Sequence, residues 1–119
     1  MMIMEVNSTA IQIELEKNSS SDAIKEMLRQ GSITLPMKDY AHMEKFGELG
    51  SNFPRNDKQI TTKAGDVILS EGNLLVIYYA PNTWNFTKLG KVVNLTEKEL
   101  KKVLGQGNIT ATLSLNEKE

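Results

Sequence analysis

Cysteine is absent from this chain. That excludes a disulfide scaffold, a thiolate zinc site and a cysteine nucleophile. Histidine occurs once, as His42, so multi-histidine metal sites are excluded too. Charge of one sign is also missing: 14 Lys and Arg stand against 15 Asp and Glu, for a net charge of −1. A nucleic-acid surface needs unbalanced cations on phosphates, so no nucleic-acid partner is expected. No apolar run approaches the roughly 20 residues of a membrane helix. The opening Met1-Met2-Ile3-Met4-Glu5 is too short for a signal core and has no basic start. The expectation is a cytoplasmic protein without a membrane partner. No motif names a reaction, a cofactor or a metal.

What is present is an ordinary globular balance. The 119 residues are 39% apolar and 24% charged, which suits one domain spanning 1–119. Four segments alternate with period two: Met2 to Val6, Ile11 to Leu15, Ile33 to Met37 and Ile109 to Leu115. Each reads as a strand with one face in a core and one in water. Asn7-Ser8-Thr9 joins the first two as a hairpin. Pro36 has no N–H, so it belongs at an edge, a bulge or a strand end. Val67-Ile68-Leu69 leads through Ser70-Glu71-Gly72-Asn73 into Leu74 to Ala80, which is apolar on both faces. One face of that arm is expected in the interior and the other under a helix or loop. Lys88 to Val93 is a weaker strand.

Two short helices fit between the strands. The first spans about Ser21 to Gln30, with Ala23, Ile24, Met27 and Leu28 on one stripe, Ser20 or Ser21 as N-cap and Gly31 as its stop. The second spans about Glu97 to Leu104. Thr96-Glu97-Lys98-Glu99 is a capping box, Leu95 and Leu100 stand at staple spacing, and Gly105 follows. Asp39 to Lys63 shows no clean periodicity and reads as a long loop, a kind of segment that often carries function. The order is ββ-α-β-loop-ββ-β-α-β. It suits a mainly β, closed antiparallel barrel with two short helices over its open ends. An open α+β sheet with both helices on one face is the alternative.

Asp39-Tyr40, Glu44-Lys45-Phe46-Gly47, Ala64-Gly65-Asp66-Val67, Gly72-Asn73-Leu74-Leu75-Val76-Ile77-Tyr78-Tyr79 and Lys88-Leu89-Gly90-Lys91-Val92 follow one another at spacings that resemble the small bacterial cyclophilin-like proteins. The likeness runs from the first hairpin to Leu115. It implies a closed, cyclophilin-like β-barrel with a helix at each end. It does not bring isomerase residues with it. Cyclophilin isomerases use an Arg in a Phe-His-Arg setting and a Phe-x-x-Gln-Gly-Gly stretch, and neither occurs here. Gly105-Gln106-Gly107 is a helix stop, and the only arginines are Arg29 and Arg55.

The candidate ligand-binding residues are Tyr40, Phe46, Phe53, Arg55, Trp84 and Phe86. Trp84, in Pro81-Asn82-Thr83-Trp84-Asn85-Phe86, reads as a platform on a turn-rich link, or else as a cover over the barrel wall. Tyr40, Glu44, Lys45 and Phe46 can form a groove with one aromatic wall. In the blander reading Tyr40 and Phe46 tuck into the rim while Glu44 and Lys45 stay in water. Arg55 is the nearest thing to a catalytic cation. A fixed guanidinium on a proline amide nitrogen weakens the resonance that sets the roughly 18–20 kcal/mol isomerisation barrier. Phe53, Trp84 and Phe86 would then grip the ring; the plain alternative is a solvated loop Arg. Asp39 and His42 can pair as acid and base, or join Glu44 as mixed metal ligands, but no nucleophile accompanies them. The leading reading is therefore a module that binds a peptide segment or a small molecule beside Phe53, Trp84 and Phe86. A weak peptidyl-prolyl isomerase using Arg55 is the rival. A structural subunit that buries the Trp84 surface in a homo-oligomer is the third.

Overall fold

The structure, a computed structural model, describes residues 1–41, 43–105 and 107–116. The strands are β1 (Met2–Val6), β2 (Thr9–Leu15), β3 (Ile33–Tyr40), β4 (Glu44–Glu48), β5 (Lys58–Thr61), β6 (Asp66–Ser70), β7 (Leu74–Tyr78), β8 (Thr83–Val92) and β9 (Ile109–Leu115), with helices α1 (Ser19–Arg29) and α2 (Glu97–Leu104). The ladder runs β2-β1-β9-β3-β4-β7-β6-β8, and β8 pairs back to β2. That last pairing, Ile13 with Val92, Glu14 with Lys91 and Leu15 with Gly90, closes the barrel. Every pairing is antiparallel. The open α+β sheet is thereby excluded.

Local chemistry explains the elements. Val6 faces Thr9 across a turn whose central residues, Asn7 and Ser8, have φ of 49° and 67°. Such two-residue turns need positive φ at both positions, and Asn tolerates it well. The β3–β4 ladder ends at Lys38 opposite Phe46, two residues past Pro36, which has no N–H to extend it. In α2, Thr96 and Glu99 form the full capping box, and Gly105 follows at φ 62°. In α1 the N-cap is Asn18, whose side chain accepts from the Ser21 N–H, and not Ser20 or Ser21. Those two serines sit buried in the first turn. Their hydroxyls donate to the carbonyls of Pro54 and Leu89, pinning the helix start to its neighbours.

Two other expectations need correction. The stretch from Asp39 to Lys63 is not one long loop, since it contains β4 and β5. Neither alternates in the usual way: β4 turns Lys45 and Gly47 inward, and β5 carries only one apolar residue, Ile60. Trp84 and Phe86 do not lie on a link between strands either. They belong to β8, whose first half pairs with β5, Ile60 opposite Trp84 and Lys58 opposite Phe86.

The period-two alternation puts one face of each strand inside. Met2, Met4, Ile11, Ile13, Met37, Val67, Leu69, Leu75, Ile77, Leu89, Ala111 and Leu113 fill the barrel, joined by Ile24 and Leu28 of α1 and Leu100 and Leu104 of α2. Burial of this aliphatic set is the main stabilising term. A second, smaller cluster lies on the opposite face of β6, β7 and β8: Ile68, Val76, Tyr78 and Phe86, with Met43, Phe46, Ile60 and Leu74 packed against it. The doubly apolar β7 thus serves both clusters, and on its outer face it shares the second one with Phe86 of β8 and Ile60 of β5. Among the described residues no helix is long and apolar enough to cross a membrane.

Candidate functional site

The outer cluster is not fully covered. Beside it opens a groove of about 560 Å³, floored by Leu74, Val76, Tyr78 and Phe86 and flanked by Tyr40, Phe46 and Trp84. Strand geometry builds it. Leu74, Val76 and Tyr78 are alternate residues of β7 and share its outer face. Phe46 lies opposite Val76, and Glu44 opposite Tyr78, on the neighbouring β4. Tyr40 ends β3 opposite Glu44 and meets Phe46 edge-on, ring centroids 6.5 Å apart. Tyr78 and Phe86 are tilted against each other at 5.7 Å. Tyr40 is 59% exposed and Trp84 68% exposed, so two large rings stand in water beside an apolar floor.

The polar groups of the groove form a chain. The Asn82 side-chain amide donates to the Tyr78 hydroxyl at 3.1 Å. Tyr78 in turn bonds the Glu44 carboxylate, which is only 9% exposed. Burial pushes the Glu44 carboxyl above its ordinary range; the Tyr78 hydrogen bond opposes the rise and the negative Asp39 adds to it. Burial likewise raises the Tyr78 phenol. Ser70 at the end of β6 and Glu71 of the β6–β7 turn complete the rim.

Glu44 and Lys45 do not stay in water. Lys45 is fully buried and points to the barrel interior. It forms an ion pair with Asp39 Oδ1 at 3.1 Å and donates to the Gly107 carbonyl at 2.5 Å. The Tyr79 hydroxyl donates to the same Asp39, and the Lys45 ammonium lies 5.7 Å from the Tyr79 ring centroid. Burial pushes the Tyr79 phenol up as well, and the Asp39 contact adds to that. This network plugs the interior with a satisfied polar group, which is how a buried charge is tolerated. Nor does Tyr40 tuck into the rim; it stands exposed.

Of the six candidate residues, Tyr40, Phe46, Trp84 and Phe86 line one groove. Two patches that lie apart in the sequence, the Tyr40–Phe46 segment and the Trp84–Phe86 segment, therefore meet. Phe53 and Arg55 do not line it. Phe53 packs against the interior cluster. Arg55 donates from Nε and Nη2 to Asp57 Oδ2 at 2.8 and 2.5 Å, and its aliphatic stem lies against Gly72. Thr87 also donates to Asp57, at 2.6 Å. Burial alone would raise the Asp57 carboxyl, but Thr87 and Arg55 outweigh it and hold it below its ordinary value. The four-residue proline pocket of the isomerase reading is thus split, since only Trp84 and Phe86 share a cavity. His42, and with it any pairing with Asp39, lies outside the described residues. Among the described residues no three His, Asp or Glu gather as metal ligands. The floor residues Val76 and Tyr78 are not among the six. Their only signal in the sequence is the doubly apolar β7, whose pattern predicts a cover over the outer face and not an opening.

The fold has relatives. A family model described as "Cyclophilin-like family" matches residues 4–114. No curated protein matches the chain. Among solved structures, McbB, determined in complex with tryptophan, superposes with a TM-score of 0.73 at 15% identity. The match covers 100% of this chain but 46% of McbB, so this chain spans less than half of that protein. The hypothetical protein AF2241 from Archaeoglobus fulgidus superposes with a TM-score of 0.70 at 13% identity, covering 95% of this chain and 92% of that one. At such identities the likeness concerns the fold.

Proposed function

The chain belongs to the cyclophilin-like family, and on that premise we propose that it is a binding module, holding a small molecule or a peptide segment in the groove between Tyr40, Phe46, Trp84 and Phe86. One observation carries this reading: two large aromatic side chains, Tyr40 and Trp84, stand exposed over an apolar floor. Exposed rings around a concave apolar surface are what binding sites use, because each ring buries much area at little entropic cost. The volume of about 560 Å³ falls within the range of small-molecule pockets. The tryptophan held in the McbB complex belongs to that protein; it lends this reading only the general point that a related barrel accompanies a bound aromatic molecule.

Trp84 is the only tryptophan, so its fluorescence reports on the groove directly. Titration against a library of peptides and small metabolites is expected to yield hits that shift its emission. The same hits should lose affinity in Trp84→Ala, measured by calorimetry. Hits that leave Trp84 unmoved and map to another barrel face would overturn the site. Light scattering at two concentrations separates a monomeric binder from a homo-oligomer that covers Trp84 with a second copy.

A further inference from the structure

We propose that the groove selects a small organic ammonium: a protonated or quaternary amine carried on an apolar body. This rests on the binding reading above and names its ligand class. The sign of charge comes first. Glu44 and Glu71 line the groove, and no lysine or arginine among the described residues does. The neighbouring Lys45 is turned away and neutralised by Asp39 inside the barrel. An anion entering the groove would meet carboxylates with no cation to offset them. The rings come second. Aromatic faces carry negative potential, and a cation within about 6 Å of a ring centroid is attracted to it. Tyr40, Phe46, Trp84 and Phe86 surround the groove with such rings.

The state of Glu44 comes third. It is nearly buried, on the same wall as the Val76 and Tyr78 floor, and accepts the Tyr78 hydroxyl, which Asn82 holds in place. A carboxylate offers about four acceptor sites, and that hydroxyl takes one. A neutral apolar ligand would cover Glu44 further and leave its charge uncompensated, which is costly. An ammonium supplies the missing counter-charge in the same act of burial. Its apolar body would lie on Leu74, Val76 and Phe86. The size of the groove suits a small molecule and not a folded partner.

The test compares 2-phenylethylammonium with 2-phenylethanol, which share the ring and chain and differ in charge. Both are titrated into the full chain, with Trp84 fluorescence and calorimetry as readouts. The ammonium is expected to bind about tenfold or more tightly than the alcohol. Glu44→Gln keeps the shape and the acceptor for Tyr78 and is expected to reduce that preference severalfold, leaving the share that Glu71 and the rings supply. If Glu44→Gln fails to fold, Glu71→Gln and the exposed Trp84→Ala, read by calorimetry, are each expected to weaken the ammonium selectively. Equal binding of the two probes would overturn the charge selectivity while leaving the groove a binding site. A lysine-bearing peptide that binds where the free amine does not would overturn the small-molecule assignment. If neither probe nor peptide perturbs Trp84, the ammonium proposal fails; if the metabolite and peptide library also fails to do so, the binding reading fails with it.

Discussion

Strand β7 separates two unlike interiors. On its inner side Leu75 and Ile77 are fully buried among aliphatic side chains and methionines. On its outer side Leu74, Val76 and Tyr78 sit under rings that water reaches. The chain has one Trp, three Tyr and three Phe, and all but Phe53 and Tyr79 line the outer groove. The barrel is thus filled by flexible and branched aliphatics that pack to high density, while the stiff, amphipathic rings are placed where a ligand can meet them. The same contrast holds for charge. Inside, Lys45, Asp39 and Tyr79 satisfy one another. Outside, Glu44 has hydroxyl support but no cation among the groove-lining residues. The inner region is built to be closed and the outer one is left incomplete.

The largest effects should fall on the inner side. Ile77→Ala removes a fully buried side chain and is expected to cost about 2–5 kcal/mol in urea unfolding. A cost below about 1 kcal/mol would mean that the barrel interior is as yielding as the groove. Next is the seam. A Cβ on Gly90 would stand 2.3 Å from the Glu14 carbonyl oxygen on β2, a backbone atom that cannot rotate away. Gly90→Ala is therefore expected to cost about 1–3 kcal/mol and to raise amide exchange along β2 and β8. Unchanged exchange there would show that closure does not depend on this close approach.

Glu44 gives a smaller effect with a definite sign. Its carboxyl is raised in the folded state from an ordinary 4.5. The folded protein therefore holds that proton more tightly than the unfolded chain does. The contribution of Glu44 is fully present below 4.5 and declines as pH rises through the raised value. Unfolding midpoints between about pH 4 and pH 7 should show this decline in the wild type and a flatter profile in Glu44→Gln. A decline of equal slope in both would assign it to other groups. The Asp57 carboxyl, held low, acts in the opposite direction and at lower pH, so the two windows separate. The smallest stability effect belongs to Trp84→Ala. At 68% exposure it is expected to change stability by no more than about 0.5 kcal/mol. A large loss would mean that Trp84 is a structural cover and not a platform.

The amino-acid order alone determined the local part of this protein. Alternation in β1, β2, β3 and β9, the turn residues Asn7 and Ser8, and the Thr96–Glu99 box all act over a few residues, and all are found where those signals place them. Tertiary structure decided what depends on distant partners. Glu44–Glu48 and Lys58–Thr61 carry no clear alternation, because one faces a buried Lys and a Gly inward and the other is polar. They become strands only because β7 and β8 offer unpaired backbone beside them. The same long-range pairing sets Phe46 opposite Val76 and lays Trp84 on β8, which brings residues far apart in the chain around one groove. No short-range pattern encodes such a meeting, since hydrogen-bond ladders between strands are chosen by the whole sheet and not by either strand alone.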